Sequence, residues 1–242
     1  MDLITFFEYI GLFVFAASGA MCAIEKKMDF FGILTLATVT AIGGGVIRDV
    51  VTDIGVPVFF SKYEYMLTIL ISTILVICLR GRIKWQTSFL ILDAIGLSVF
   101  TIAAGMKAID LNYNFMTFLF VSVITAVGGG VIRDILAQEV PSILKHEIYA
   151  VASLIGAICF WFLHPYLGIM ISAYLCLSII FIIRLVTIHY QMHLPYIEEG
   201  KIYLKKTQAS ECLGFSFHQK QGIMKDINFI ETVVRHIESN DN

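Results

Sequence analysis

The stretch Thr40–Val50 reads TAIGGGVIRDV, and Thr125–Ile135 reads TAVGGGVIRDI, 85 positions later. Nine of the eleven positions are identical, and the other two exchange Ile and Val. Each copy lies inside an apolar stretch that can cross a bilayer, which takes about 20 residues as a helix. Three glycines followed by Arg and Asp are costly at that depth, because freed backbone groups and charges must be satisfied inside the protein. A costly arrangement that occurs twice indicates where the function lies.

The composition is that of an integral membrane protein. Of the 242 residues, 58% are hydrophobic and 15% are charged, and the mean hydropathy is +0.82. Soluble domains carry about a quarter charged residues. The net charge of −2 comes without a basic stripe, so nucleic acid is not an expected partner. The cysteines lack CxxC spacing, and neither HExxH nor Walker A is present, so we expect no cofactor, no metal site and no enzymatic activity.

Seven apolar segments are predicted to be transmembrane helices, with boundaries good to about three residues. Residues 188–242 have ordinary soluble composition and form a tail, in which apolar residues spaced four and three apart predict a short amphipathic helix over residues 223–237. The predicted spans are Leu3–Ile24, Phe30–Asp53, Tyr63–Leu79, Ser88–Ile109, Phe115–Ala137, Glu147–Leu163 and Gly168–Thr187.

The duplication extends beyond the glycine block and predicts an inverted repeat. The same offset of 85 pairs Glu8 with Asp93 and Met21 with Met106. Each repeat contains three spans, an odd number, so the second copy must enter the membrane from the opposite side. The predicted divisions are a first three-helix repeat (1–85), a second, inverted repeat (86–165), a seventh helix (166–187) and the tail (188–242).

Lysine and arginine predict the orientation. They occur after the first, third, fifth and seventh spans, whereas the loops after the fourth and sixth spans contain neither. Because cytoplasmic loops carry the excess of Lys and Arg, we expect the N-terminus outside and the C-terminal tail in the cytoplasm.

The glycine triplets predict a break in the second and fifth spans. Glycine inside a helix costs about 1 kcal/mol relative to alanine, so three in a row are expected to interrupt the helix near the midplane. Freed carbonyls would then coordinate a cation, whereas half-helix N-termini would favour an anion or a carboxylate. The alternative is that the glycines only allow close helix packing. These residues are Gly43, Gly44, Gly45, Gly128, Gly129 and Gly130.

One Arg-Asp pair follows each triplet. With the orientation above, Arg48 and Asp49 lie in the outer half of the membrane, and Arg133 and Asp134 lie in the inner half. Charges at such depth usually face the bundle interior and mark a pathway. The alternative is that each Arg caps a broken helix or pairs with an Asp to hold the bundle together.

Three more charged residues allow two interpretations each. Lys107, near the outer end of the fourth span, either snorkels to the interface or faces a pore. Glu8 and Asp93 either form a ring that attracts cations or are ordinary interfacial carboxylates, and we favour the latter.

Two three-helix repeats plus a seventh span, each repeat with GGGVIRD in its middle helix, resemble the bacterial relatives of the trimeric intracellular cation (TRIC) channels, which are also labelled glycine-transporter-like. The resemblance covers about residues 3–187. It implies a homotrimer with a pore in each protomer, lined by glycine-broken second and fifth helices and permeated by potassium and some sodium. It also implies that Lys107 lies in the pore. The lysine-rich lipid-binding segment of the animal members is not seen.

The residues thus allow two functions. One is a monovalent cation channel in a bacterial inner membrane, in which Asp49 and Asp134 must neutralise the arginines. The other is a secondary transporter of glycine or another small solute, since inverted repeats occur in carriers too.

Overall fold

The computed structural model describes residues 3–53, 55–79, 85–145, 148–190, 196–198 and 201–203. A 3₁₀ turn covers Val58–Ser61. The α-helices are α1 (Leu3–Glu25), α2 (Phe30–Val51), α3 (Tyr63–Cys78), α4 (Trp85–Asp110), α5 (Phe115–Leu136), α6 (Ser142–Lys145), α7 (Ile148–Leu167) and α8 (Ile169–Tyr190).

Every predicted span is a helix, and the fold class, an all-α membrane protein, is confirmed. Six helices (α1, α2, α4, α5, α7 and α8) are long and apolar enough to cross a membrane. The seventh apolar helix, α3, has 16 residues and is about 24 Å long, less than the hydrocarbon thickness of about 30 Å. The short helix α6, between α5 and α7, was not predicted.

The repeat is visible in the caps of the helices. The side chain of Asp29 caps α2 by accepting a hydrogen bond of 2.7 Å from the Gly32 amide. Asn114, its equivalent 85 positions on, caps α5 with a bond of 2.9 Å from the Thr117 amide. The non-glycine residues with left-handed backbone also form two such pairs, Lys27 with Asn112 and Asp53 with Gln138.

The predicted break at the glycines is wrong. Both α2 and α5 run as continuous α-helix through the triplets Gly43–Gly45 and Gly128–Gly130. Glycine propensity alone favours a break, but an interrupted helix would leave backbone groups without partners inside the membrane. Close packing, which only glycine permits, offsets the propensity here.

The glycines form the crossing between α2 and α5. A Cβ atom on Gly44 would overlap the carbonyl oxygen of Thr125, and a Cβ atom on Gly129 would overlap that of Thr40. These two contacts are the same contact exchanged between the repeats. The numbering rises along α2 as it falls along α5, so the two helices cross in antiparallel directions, as the inverted repeat requires.

A second exchanged contact joins α1 and α4, the helices with the largest buried share. The rings of Phe15 and Phe100 lie 5.2 Å apart. A Cβ atom on Gly96 would overlap the Phe15 ring, and one on Gly11 would lie 2.9 Å from the Phe100 ring. Aromatic rings therefore fill the space between the two repeats at this level.

The chain divides into two units, Met1–Leu194 and Pro195–Asn242. The described part of the second unit is an antiparallel strand pair, β1 (Tyr196–Glu198) with β2 (Lys201–Tyr203), in whose backbone register Ile197 pairs with Ile202. This hairpin was not predicted, and the predicted amphipathic helix over residues 223–237 lies outside the described residues. The boundaries between the repeats stay a prediction.

Candidate functional site

The first buried charge cluster forms around Arg48 of α2. Its Nε donates to Asp49 Oδ1 at 2.9 Å, and its Nη1 and Nη2 both lie 3.5 Å from Glu8 Oε1. The hydroxyl of Tyr65 donates to Glu8 Oε2 at 2.6 Å. Lys107 Nζ donates to Asp49 Oδ1 at 3.1 Å. Residues from α1, α2, α3 and α4 thus meet in one ionic network.

The second cluster forms around Arg133 of α5. Its Nε donates to Asp134 Oδ1 at 2.9 Å, and its Nη1 donates to Asp93 Oδ1 at 2.7 Å and to Ser18 Oγ at 3.2 Å. The other oxygen of Asp134 accepts from the Ser142 amide at 2.7 Å, which caps α6. The Arg133 side chain is 1% exposed.

The two clusters are copies of one arrangement and are formally neutral. In each, an arginine binds the aspartate that follows it and the acid 40 positions before it. Each contains two carboxylates and two cations. The second cation differs: it is Lys107 from α4 in the first cluster, and Arg184 from α8, 4.0 Å from Asp93, in the second.

The clusters lie on opposite sides of the glycine crossing. Arg48 follows Gly44 by four residues, and Arg133 follows Gly129 by four residues. At 1.5 Å per residue, each arginine is about 6 Å from the crossing. Because α2 and α5 are antiparallel, these displacements point in opposite directions.

A recess opens at the first cluster. Among the described residues, no heavy atom outside the local α2 backbone lies within 4 Å of a Cβ atom built on Gly45, which borders the recess. The lining combines charged and apolar side chains: Glu8, Leu12, Ala41, Ile42, Gly45, Val46, Arg48, Asp49, Phe59, Tyr65 and Phe100.

The equivalent position at the second cluster is filled. A Cβ atom on Gly130 would lie 3.2 Å from the Tyr149 hydroxyl oxygen and 3.9 Å from Asp93 Oδ1. The Arg184 guanidinium lies over the Tyr149 ring at 4.6 Å. The two repeats therefore share one arrangement of charges, but the space beside Gly45 is open and the space beside Gly130 is filled.

The predicted site residues lie at the glycine crossing or in one of the two charge clusters. The glycine crossing contains Gly43, whose Cβ atom would meet Ile132 at 2.8 Å, and Gly128, whose Cβ atom would lie 3.1 Å from the Gly44 Cα atom. Lys107 contacts Asp49, and 18% of its side chain is exposed. That these glycines and charged residues line an ion pathway stays a prediction.

Some residues of the two charge clusters were not predicted from the sequence. Glu8 and Asp93 are buried at 8% and 3% exposure rather than interfacial. Tyr65 and Tyr149 were not singled out, although the one-residue gap in the repeat aligns them. Arg184 was taken only as an orientation signal, because α8 has no counterpart in the repeat.

The comparisons with known proteins agree with this architecture. The family model described as "Glycine transporter" matches residues 5–81 and again 90–165. The UPF0126 inner membrane protein YadS of Escherichia coli is 43% identical over 161 residues, covering 64% of this chain and 76% of the relative. The UPF0126 membrane protein YvgT of Bacillus subtilis is 36% identical over 154 residues, covering 62% and 75%.

Solved structures of TRIC channels share the fold. A prokaryotic TRIC channel crystallised in 0.5 M KCl has a TM-score of 0.75 at 30% identity, over 78% of this chain and 97% of that one. The TRIC orthologue of Rhodobacter sphaeroides has a TM-score of 0.74 at 28% identity, over 79% and 100%. A structure from work on conductance through TRIC cation channels has a TM-score of 0.73 at 33% identity, over 81% and 98%. The chain therefore belongs to the integral membrane protein family whose model is described as glycine transporter, together with the UPF0126 membrane proteins and the prokaryotic TRIC channels.

Proposed function

We propose that this protein is a channel for monovalent cations, chiefly potassium with some sodium, with one pore in each protomer of a homotrimer. The observation that carries the proposal is the pair of neutral, symmetry-related charge clusters on either side of one glycine crossing. The solved relatives named as TRIC cation channels share this fold. The proposed location is the bacterial inner membrane, with the N-terminus outside and the C-terminus in the cytoplasm.

The proposed pathway begins at the recess and runs past Gly45 and Asp49 to the second cluster. The positive charges do not repel a cation at the first cluster, because Glu8 and Asp49 balance Arg48 and Lys107. Charged groups inside a membrane are tolerated where they pair with each other or face a water-filled cavity; the charges of the first cluster are paired, and the cluster borders the recess.

The pathway is closed beyond the recess in this state. The rings of Phe15 and Phe100 fill the space between the repeats, and Tyr149 covers Gly130. Conduction therefore requires that these side chains move. Hydrophobic constrictions of this kind are known to gate channels by excluding water.

A second candidate, a carrier of glycine or another small zwitterion, has one observation in its favour. The recess presents the Arg48 guanidinium together with the Glu8 and Asp49 carboxylates. These groups match both ends of an amino acid, and one open and one closed cluster fit alternating access.

Reconstitution of the purified full chain in liposomes separates the two functions. A channel dissipates a potassium gradient quickly and does not concentrate solutes, whereas a coupled carrier accumulates labelled glycine against its gradient. Potassium flux without glycine accumulation is the expected result. Concentrative glycine uptake without potassium flux would replace the channel with the carrier.

A further inference from the structure

Glu8 and Asp93 occupy equivalent positions in the two repeats, yet their arginines hold them differently. Asp93 Oδ1 accepts a hydrogen bond of 2.7 Å from Arg133 Nη1. Both contacts from Arg48 to Glu8 Oε1 are 3.5 Å long. Charge-assisted N–H···O bonds measure about 2.7–2.9 Å. The guanidinium of Arg48 therefore holds Glu8 less closely than the guanidinium of Arg133 holds Asp93.

The neighbours of Glu8 account for this difference. Tyr65 donates to Glu8 Oε2 at 2.6 Å and fixes that side of the carboxylate. Arg48 directs its Nε to Asp49 at 2.9 Å. In the second repeat, the hydroxyl of Tyr149 has no hydrogen-bond partner among the described residues. Among those same residues, Glu8 Oε1 is reached only by the long Arg48 contacts.

Glu8 also borders open space, because it lines the recess together with Gly45. A Cβ atom on Gly45 would meet no heavy atom within 4 Å in the described part of the chain beyond the local α2 backbone. The equivalent Gly130 position is filled by the Tyr149 hydroxyl and Asp93. Of these two equivalent acids, Glu8 is therefore the one with room for an ion beside it.

These observations point to a cation site. A carboxylate oxygen is a hard ligand of the kind that alkali cations bind, and Glu8 lines the recess. Arg48 and Lys107 balance the two carboxylates, which keeps binding weak, as conduction requires. We propose that Glu8 Oε1 is a binding position for the permeant monovalent cation, and that Tyr65 is the residue that orients it. This inference rests on the proposed channel function.

The test is the potassium dependence of the unitary conductance of the full chain in planar bilayers. Glu8→Gln removes the charge and keeps an oxygen that accepts the Tyr65 hydrogen bond. The half-saturating potassium concentration should rise about fivefold, because a unit charge at contact distance contributes about 1 kcal/mol in water-like surroundings. The reversal potential in a KCl gradient should shift toward that of chloride.

Glu64→Gln is the matched control, since it makes the same change on α3 at a residue that does not line the recess. Its half-saturating concentration should stay within about twofold of the wild-type value. If Glu8→Gln fails to fold, Glu8→Asp is the second variant, because it keeps the charge and withdraws it by one methylene. Its half-saturating potassium concentration should rise about twofold.

The outcomes separate the inference from the proposed function. If the wild-type protein carries no cation current, the channel proposal itself fails. If the wild-type protein conducts and folded Glu8→Gln keeps the wild-type half-saturating concentration and reversal potential, only the Glu8 site is excluded. An equal rise in Glu64→Gln would also contradict the site, because it would show a general surface-charge effect.

Discussion

Lys107 sets the charge balance of the first cluster through its contact with Asp49. Lys107→Ala leaves two carboxylates beside one arginine, so cations should be attracted more strongly. We expect a larger conductance or a higher open probability in single-channel recordings. Cys22→Ala is the control, because Cys22 occupies the equivalent position in the first repeat. Traces of Lys107→Ala that match the wild type would show that the lysine does not act on the pathway.

Arg133 is predicted to matter more for stability than Arg48. Arg133→Gln leaves Asp134 without its cation and leaves Asp93 with Arg184 alone, 4.0 Å away, and breaking a buried ion pair costs about 3–5 kcal/mol. Arg48→Gln should cost clearly less, because its contacts with Glu8 are long and border the recess. Denaturant unfolding in detergent measures the free energy of unfolding of both variants. Equal losses would show that the two arginines are held equally in their clusters.

The contacts within each cluster that join residues adjacent in the sequence could be predicted. The need for Asp49 and Asp134 to neutralise the arginines followed from the RD dipeptide alone. The pairing of each arginine with an acid 40 positions earlier did not, because it depends on how α1 packs on α2 and α4 on α5. Burial of Glu8 and Asp93 depends on the same packing.

Helices α2 and α5 show where local propensity gives the wrong answer. Three glycines favour a break when a helix is considered alone. In the folded protein each triplet instead lets one helix backbone touch the other, with Gly44 against Thr125 and Gly129 against Thr40. The intact backbone hydrogen bonds and this close contact outweigh the propensity, and neither is visible in a single segment.

The glycines of one triplet should therefore differ in tolerance. Gly44→Ala forces a Cβ atom onto the Thr125 carbonyl, and overpacking of this kind costs about 1–3 kcal/mol. Gly45→Ala has room for its Cβ atom and should gain up to about 1 kcal/mol of helix propensity. Thermal unfolding of the two variants in detergent measures the contrast. Equal destabilisation would show that helix contact is not the role of Gly44.

Across the whole molecule, the repeat was predictable and the difference between its halves was not. The offset of 85 positions matches the caps, the left-handed residues and both clusters. The closed state of the second cluster involves Arg184 of α8. Because α8 lies outside the repeat, no internal comparison of the sequence could have assigned it this place.

The orientation of the whole chain is tested by a reporter fused after Asn242. Lysine and arginine after the odd-numbered spans predict that this end lies in the cytoplasm. A reporter that is active only in the cytoplasm should therefore be active, and its periplasmic counterpart should be silent. The opposite pattern would reverse the orientation and place the open recess on the cytoplasmic side.

We propose that ions pass through the protein by way of the two clusters. The most direct measurement is the current through the purified full chain in a planar bilayer under a KCl gradient. The account predicts discrete unitary steps, well above the turnover of a carrier, that reverse near the potassium equilibrium potential. A protein that shows no unitary steps in the bilayer but accumulates labelled glycine in liposomes would contradict it.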